Sequence, residues 1–108
     1  MPRRGEIWWA RLDPTVGSEI SKTRPCVVLS SSVVNQRRRT VVVVPLGTSP
    51  RAAPPVIVSV QCAGRPAVAM IDQVRAIARE SLAGRIELLS AEHLGAIEDA
   101  LREILELH

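Results

Sequence analysis

At residues 18–29 the chain reads Ser18-Glu19-Ile20-Ser21-Lys22-Thr23-Arg24-Pro25-Cys26-Val27-Val28-Leu29, a polar stretch that runs directly into an apolar one. The apolar part predicts a buried β-strand, and the polar part predicts the loop that leads into it. Pro25 restricts the preceding residue to an extended conformation, so Arg24 is expected to be held at the mouth of the strand. A guanidinium held in this way can face an anion such as phosphate, which its planar fork of donors matches. The alternative is an ordinary surface arginine, solvated at the start of a strand.

The size of the chain predicts a single domain over residues 1–108, with one hydrophobic core. Hydrophobic residues make up 46% of the sequence but aromatic residues only 2%, so Val, Ile, Leu and Ala must build most of that core. Trp8 and Trp9 are the two aromatic rings, and on a strand they point to opposite faces. RNA modules that spread several bases over exposed rings are therefore disfavoured.

Charge is distributed unevenly along the sequence. The net charge is +3, and most of the arginines lie in the first half while the acidic residues gather in the second. This distribution favours a polyanion as a binding partner. The run Arg37-Arg38-Arg39 is either a phosphate contact or a solvated turn, and the sequence leaves both open.

Several kinds of chemistry are poorly represented. Cys26 and Cys62 lie in apolar runs without zinc-site spacing, which indicates core residues and no metal or other cofactor. His93 and His108 are the two histidines, both near the end of the chain, so a histidine acid and base pair is not expected. No apolar run has the length of a signal peptide or membrane span, so we expect a cytoplasmic protein without membrane association. Arginine, hydroxyl groups and backbone amides remain, and these suit the stabilisation of charge on a phosphate.

The hydrophobic pattern predicts a mainly β fold of five to six strands, as a strongly curved sheet or small barrel, followed by a helix. Strands are expected at 5–12, 26–30 and 40–44, the third buried on both faces, with a polar connection at 35–39. Two further runs, 56–60 and 67–71, predict a hairpin with a loop longer than two residues, and alternation continues through Arg75. Ser90 is expected to cap an amphipathic C-terminal helix.

Five short motifs, in the same order along the chain, resemble the MazF/PemK toxin family. They cover residues from about Arg4 to the end, and they are Arg4-Gly5-Glu6-Ile7-Trp8-Trp9, Leu12-Asp13-Pro14-Thr15-Val16-Gly17-Ser18-Glu19, Lys22-Thr23-Arg24-Pro25-Cys26-Val27-Val28-Leu29-Ser30, Val44-Pro45-Leu46-Gly47-Thr48-Ser49 and Asp72-Gln73-Val74-Arg75-Ala76-Ile77. The resemblance implies an SH3-like small curved barrel of five to seven strands with a C-terminal α-helix. It further implies a homodimer that cuts single-stranded RNA without a metal and is silenced by a cognate antitoxin protein.

The resemblance also assigns site residues. Arg24 and Thr48 match the family's catalytic arginine and threonine, and Glu19 matches its loop glutamate, as a catalytic or structural residue. Residues expected to contact RNA or support the site, from the resemblance or from the basic pattern, are Ser18, Lys22, Arg37, Arg38, Gln73 and Arg75. The sequence departs from the family at Ile20-Ser21, where Gln or Gly is usual, and at Trp8-Trp9 in place of Tyr-Trp.

The implied reaction is attack by the RNA's own 2′-hydroxyl on the adjacent phosphate, which leaves a 2′,3′-cyclic phosphate and a 5′-hydroxyl. Two alternatives stay open. The first is a toxin of the same fold that poisons DNA gyrase, as the CcdB branch does through a C-terminal Trp-Gly-Ile end, whereas this sequence ends Leu105-Glu106-Leu107-His108. The second is an inactive homologue that binds RNA.

Overall fold

A computed structural model describes residues 1–12, 22–48 and 51–107, and only the backbone of Lys22. Within these residues the chain forms seven strands, two α-helices and two single turns of 3₁₀ helix, Ile71–Gln73 and Arg79–Ser81. The strands and α-helices, in chain order, are β1 (Glu6–Leu12), β2 (Lys22–Val28), α1 (Ser32–Arg37), β3 (Thr40–Gly47), β4 (Ile57–Cys62), β5 (Arg65–Met70), β6 (Arg75–Ala78), β7 (Leu82–Leu88) and α2 (Ala91–Leu105).

The strands pair throughout in antiparallel fashion, in the order β4-β5-β3-β2-β1-β7, and β6 joins the sheet by pairing with β3. The sheet is open, with β4 and β7 at the ends of this order. The predicted fold class, a mainly β chain of five to seven strands with a C-terminal α-helix, is confirmed, and the strands of the predicted SH3-like small barrel form an open antiparallel sheet.

Strand β3 changes its partner along its length. Its first residues pair with β6, through the register Val43 opposite Arg75, and its last two pair with β5. Val44 and Pro45 lie between these two segments and pair with β2 alone. The strand was predicted to end at Val44 because Pro45 and Gly47 read as turn residues; the proline is instead buried inside the strand, where the neighbouring strand changes.

Side chains on the two faces of the sheet form two separate cores. The helix-side core lies under α2 and includes Ile7, Val27, Val44, Leu46 and Ile97. The opposite core includes Ala10, Cys26, Val28, Val43 and Ile77. Strands β1, β2 and β3 contribute to both cores, because successive side chains of a strand point to opposite faces.

The burial predicted for the valine run is correct for Val41, Val43 and Val44. It is wrong for Val42, which is 37% exposed. Val42 lies next to the connection that leads into β3, and its backbone N–H donates to the hydroxyl of Ser30 at 3.0 Å.

Two predicted connections differ from the structure. The loop between β4 and β5 is a two-residue turn, Ala63-Gly64, with φ values of 53° and 76°. Positive φ at both positions gives the tight turn that fits the twist of a hairpin, so the strands extend further than predicted. The polar connection predicted at 35–39 is largely the end of helix α1, which Ser31 caps by accepting a hydrogen bond from Val34 N at 3.2 Å.

Asn35 of α1 is fully buried and joins three parts of the chain. Its Nδ2 donates to the carbonyl oxygens of Pro2 at 3.1 Å and Ser30 at 3.0 Å, and its Oδ1 accepts from the Ser30 hydroxyl. Its own carbonyl accepts from Arg79 Nη1 at 2.9 Å. The N-terminal residues, the segment that follows β2 and the 3₁₀ turn Arg79–Ser81 are thereby joined at one residue.

The C-terminal helix α2 is confirmed, and Ser90 caps it as predicted by accepting from His93 N at 3.2 Å. Ile97 and Ala100 are buried against the sheet. Two ion pairs lie on its outer surface, Arg4 with Glu98 and Arg102 with Asp99. No helix in the described part of the chain is both long and apolar enough to cross a membrane.

Replacing Asn35 with Ala should lower the free energy of unfolding by about 1–3 kcal/mol, because buried carbonyl and hydroxyl groups lose their partners. Urea unfolding followed by circular dichroism measures this change. Gln36→Ala is the matched control, since Gln36 is the next residue of the same helix and is exposed. Equal stability of the two variants would contradict the role assigned to the buried amide.

Candidate active site

Arg24 lies within β2, opposite Ala10 of β1, and is half-buried. The strand begins at Lys22, four residues earlier than predicted, so Arg24 and Pro25 belong to the sheet rather than to the loop before it. Alternation places Arg24 on the same face as Cys26 and Val28, the face of the opposite core. The backbone of this arginine is therefore fixed by pairing with β1 and not only by the proline that follows it.

Arg75 is the second arginine of this face. It begins β6 and lies opposite Val43 of β3, which in turn lies opposite Val28 of β2. The prediction that β6 continues regularly from Asp72 is wrong, because the 3₁₀ turn Ile71–Gln73 precedes it. Arg75 nevertheless lies on the same face of the sheet as Ile77, which follows it by two residues in β6.

The charges of both arginines act on the thiol of Cys26. Burial raises the pKa of the Cys26 thiol to about 12, while the positive charges of Arg75 and Arg24 act in the opposite direction. Below that pH the thiol is neutral, so it is neither a nucleophile nor a counter-charge for the guanidinium groups. None of the ion pairs between described residues involves Arg24 or Arg75. Two cations thus share a site without a described carboxylate partner, which suits an anionic ligand.

Thr48 follows β3 directly and is exposed. It borders an apolar groove of about 380 Å³, whose other walls include Trp9, Pro25 and Leu46. The groove lies on the face of β2 that carries Pro25, whereas the side chain of Arg24 lies on the opposite face. No hydrogen bond between described residues joins Arg24 to Thr48. Both residues lie at the end of the sheet where β2 begins and β3 ends.

The other predicted site residues are dispersed. Gln73 is exposed in the 3₁₀ turn before Arg75, with its Nε2 3.7 Å from Met70 Sδ. Arg37 and Arg38 are exposed at the end of α1 and precede β3, whereas Thr48 follows it. Eight residues of strand separate the two positions, a length of roughly 26 Å. Ser18, Glu19 and the side chain of Lys22 lie outside the described residues.

Glu6 lies in the first of the five motifs but received no predicted role; it is a buried carboxylate that fixes one of the tryptophans. Glu6 Oε2 accepts from Arg85 Nε at 2.6 Å, and Oε1 accepts from Arg3 N at 2.8 Å and Trp8 Nε1 at 3.1 Å. Burial acts to raise the pKa of Glu6, but the hydrogen bonds from Arg85, Arg3 and Trp8 outweigh it and hold the pKa below its usual value. The Trp8 indole is therefore held against the opposite core, where Trp8 lies across from Cys26.

Metal-binding side chains are not clustered in the described ranges. Across residues 1–12, 22–48 and 51–107, no group of three or more His, Cys, Asp or Glu side chains is arranged to hold a metal ion.

The two cysteines should differ in their reactivity. At pH 8 a thiol reagent should modify Cys62 in the folded protein and leave Cys26 unreacted, because the thiolate reacts and Cys26 is buried with a pKa of about 12. Burial and Glu87 also raise the pKa of Cys62, so its reaction should accelerate as the pH rises. Titration with a chromogenic disulfide measures both rates. The Cys62→Ser protein should react only after denaturation, and rapid modification of that folded variant would contradict the burial of Cys26.

Comparison with known proteins places this site in a family context. A family model described as "PemK-like, MazF-like toxin of type II toxin-antitoxin system" matches residues 3–105. Endoribonuclease MazF9 of Mycobacterium tuberculosis is 36% identical over 116 residues, which cover 99% of this chain and 98% of that protein.

Two solved structures share the fold. The MazE-MazF structure (Form-II) from Deinococcus radiodurans has a TM-score of 0.85 at 23% identity, covering 99% of this chain and 97% of that one. An endoribonuclease in complex with its cognate antitoxin, from a Mycobacterial species, has a TM-score of 0.81 at 21% identity, covering 100% and 98%. The resemblance found in the sequence motifs is confirmed: the chain belongs to the PemK-like, MazF-like family of toxins of type II toxin-antitoxin systems.

Proposed function

We propose that this toxin is an endoribonuclease that cleaves single-stranded RNA, such as mRNA, at short specific sequences without a metal. The observation that carries the proposal is the pair Arg24 and Arg75, which lie on the same face of the sheet as Cys26. Among the described ion pairs neither guanidinium has a carboxylate partner. A phosphodiester is an anion that such a site can bind. The name of the Mycobacterium tuberculosis relative, an endoribonuclease, supports the same activity and favours it over the alternatives of gyrase poisoning and inactive RNA binding.

The proposed reaction uses a nucleophile that the substrate itself carries. The 2′-oxygen forms a bond to the adjacent phosphorus as the bond from phosphorus to the 5′-oxygen breaks. The 2′-hydroxyl loses a proton and the departing 5′-oxygen gains one, so the products are a 2′,3′-cyclic phosphate and a 5′-hydroxyl. The protein need only stabilise the extra negative charge on the phosphate and move these protons.

We assign Arg24 to stabilise the extra negative charge of the transition state. An arginine guanidinium is a permanent cation, and pairing with β1 holds the backbone of Arg24 in the sheet. We assign Thr48 to bind a phosphate oxygen or to position the 2′-hydroxyl nucleophile, because it is exposed beside the groove. Glu19 is the third proposed catalytic residue, and a carboxylate can accept the proton of the 2′-hydroxyl. Supporting RNA contacts are proposed for Ser18, Lys22, Gln73 and Arg75.

Arg37 and Arg38 are proposed to hold a more distant part of the RNA. They lie at the far end of β3 from Thr48, in a molecule whose shortest dimensions are 29 Å. Contacts at both ends therefore require an RNA that crosses most of the molecule. Such phosphate contacts add affinity without sequence information.

The proposed partners follow from the charge distribution and the family. An acidic segment of a cognate antitoxin protein is expected to compete with RNA for the basic surface. An antitoxin as the partner is supported by the similar solved structures, an endoribonuclease in complex with its cognate antitoxin and a MazE-MazF structure. We also propose that the protein acts in the cytoplasm as a homodimer, since a small domain gains buried surface by self-association.

Replacing Arg24 with Ala should lower the cleavage rate on the order of a hundredfold or more, because a preorganised donor to the phosphate is lost. Arg24→Lys should recover only part of the rate, since lysine lacks the bidentate fork, and Thr48→Ala should cost less than Arg24→Ala. Cleavage should persist in EDTA and stop when the nucleotide at the cut carries 2′-hydrogen. Mapping 5′ ends on a long RNA and timing the cleavage of a short one measure these effects.

The matched control is Arg102→Ala, which removes an exposed arginine of α2 far along the chain from the site and should cleave at the unsubstituted rate. Activity that requires a divalent ion, or full activity on the 2′-deoxy substrate, would overturn the assigned mechanism.

Replacing Arg37 and Arg38 together with Ser should weaken RNA binding uniformly across sequences and reduce the steepness of its salt dependence, by about one to two in the log–log slope. The cut site should not change, because phosphate contacts carry no base information. Fluorescence anisotropy at several salt concentrations measures the slope. An unchanged affinity and slope would reject these residues as phosphate contacts.

A further inference from the structure

The apolar groove beside Thr48 has no role in the proposed cleavage mechanism. Nearly all of its lining is carbon, from aliphatic side chains, two prolines and one indole. One cation, Arg65, lies at its border, and none of its described lining residues is acidic. Such a lining suits a flat, weakly polar group that belongs to an anionic molecule.

Trp9 contributes an unusually open ring to this groove. Its side chain is 45% exposed, although its neighbours Trp8 and Ala10 are half-buried and buried. On β2 the residue opposite Trp9 is Pro25, and on β7 it is Gly84. A Cβ placed on Gly84 would meet none of the described residues within 4 Å, so none of them fills the space across from Trp9 on β7. Trp9 thus shares the groove with Pro25 on one side, and on the other side it faces a glycine, which has no side chain to cover the ring.

We propose that this groove binds one nucleobase of the RNA substrate, stacked on Trp9, next to the phosphate that is cleaved. The inference rests on the proposed ribonuclease function and deepens it by assigning a base-binding subsite. Its volume of about 380 Å³ lies in the range of small-ligand pockets. Bases of single-stranded RNA are commonly recognised by stacking on an aromatic ring or on an arginine plane.

The position of Thr48 favours a nucleobase over a protein side chain as the occupant. Thr48 is both a wall of the groove and the residue assigned to the scissile phosphate. A base attached to that phosphate through its ribose is therefore delivered to the groove by the same binding event. Arg65, exposed at the start of β5 and absent from the described ion pairs, adds a positive charge that suits a polyanion.

The scarcity of aromatic residues is consistent with this subsite. A sheet that spreads several bases needs several rings, and this sequence has two. Glu6 holds Trp8 by a hydrogen bond to its indole N–H, on the opposite face. Trp9 is left as a single stacking surface, which is enough to orient one base relative to the cut.

The test combines variants of Trp9 with RNAs that lack one base. A short RNA containing the mapped cut site, with 2′-hydrogen at the cut to prevent cleavage, is made with an abasic residue at each position in turn. Fluorescence anisotropy gives its dissociation constant for the unsubstituted protein and for Trp9→Ala, Trp9→Leu and Trp9→Phe. Leu88→Ala is the control, since Leu88 is an exposed apolar residue of β7 outside the groove.

Trp9→Ala should weaken RNA binding by about five- to a hundredfold, the usual effect of removing one stacking ring. Trp9→Phe should retain most of the affinity. Trp9→Leu should not, because it fills apolar space without a flat ring. At one position next to the cut, removing the base should weaken binding to the unsubstituted protein but have little further effect on Trp9→Ala, since both changes remove the same contact.

The proposal is overturned if Trp9→Leu binds RNA as tightly as the unsubstituted protein, or if the two losses add at every position. The affinity of the same variants for the cognate antitoxin is measured in parallel, and a loss confined to the antitoxin would assign the groove to a protein side chain and reject the base. Should Trp9→Ala fail to fold, Trp9→Leu and Trp9→Phe with the same RNAs decide the question. Cleavage of the unmodified RNA by the unsubstituted protein is measured alongside. If no cleavage occurs, the ribonuclease function is rejected and the subsite with it. If cleavage occurs but the Trp9 variants bind RNA normally, only the subsite is rejected.

Discussion

Burial of β2 on both faces is the constraint on which the rest of the structure depends. Val27 packs into the helix-side core, while Cys26 and Val28 pack into the opposite core. A shift of one residue in the pairing of β2 would exchange these faces and turn Arg24 toward the helix-side core. The cost of burying an unpaired guanidinium there is several kcal/mol or more. Packing on both sides therefore fixes the register, and the register fixes where the charge is presented.

The same alternation divides the candidate site into two halves of different chemistry. The face that carries Arg24 and Arg75 is cationic around a neutral thiol, and the Pro25 side of the strand opens into an apolar groove beside Thr48. A nucleotide also has two halves, a charged phosphate and a flat, weakly polar base. A strand with a charged face and an apolar face therefore fits both halves of a nucleotide, whereas a purely basic patch would contact only the phosphate backbone of the RNA.

Much of the fold could be predicted from residue patterns because its strands are strongly hydrophobic and its final helix has a clear cap at Ser90. Local signals failed where tertiary pairing decided the outcome. Lys22 to Pro25 read as a loop, yet β1 provides strand partners for them, and Pro45 read as a turn, yet it lies where β3 changes partner. Helix α1 was missed because three arginines and a short length concealed a segment that one buried side chain, Asn35, holds in place.

The candidate site was only partly predictable. Motif order suggested Arg24, Thr48 and Arg75, but their faces depend on register, which no single motif contains. Glu6 looked like an ordinary polar position at a strand start, since its three donors come from Arg3, Trp8 and the distant Arg85. Likewise, the exposure of Trp9 depends on Gly84, which is remote in sequence and lacks a side chain to cover the ring.

The prolines inside the sheet have a consequence for its local stability. Pro25 and Pro45 lie on adjacent strands near Arg24, and neither can donate a backbone hydrogen bond. Val44 and Pro45 are in addition paired on one side only. Local opening takes less free energy where backbone hydrogen bonds are few, so amide hydrogens near the start of β2 should exchange with solvent more readily than those of Val27 and Val28. The sheet is thus most adaptable where its charged groups must follow the shape of a bound polyanion, and most rigid where its two cores meet.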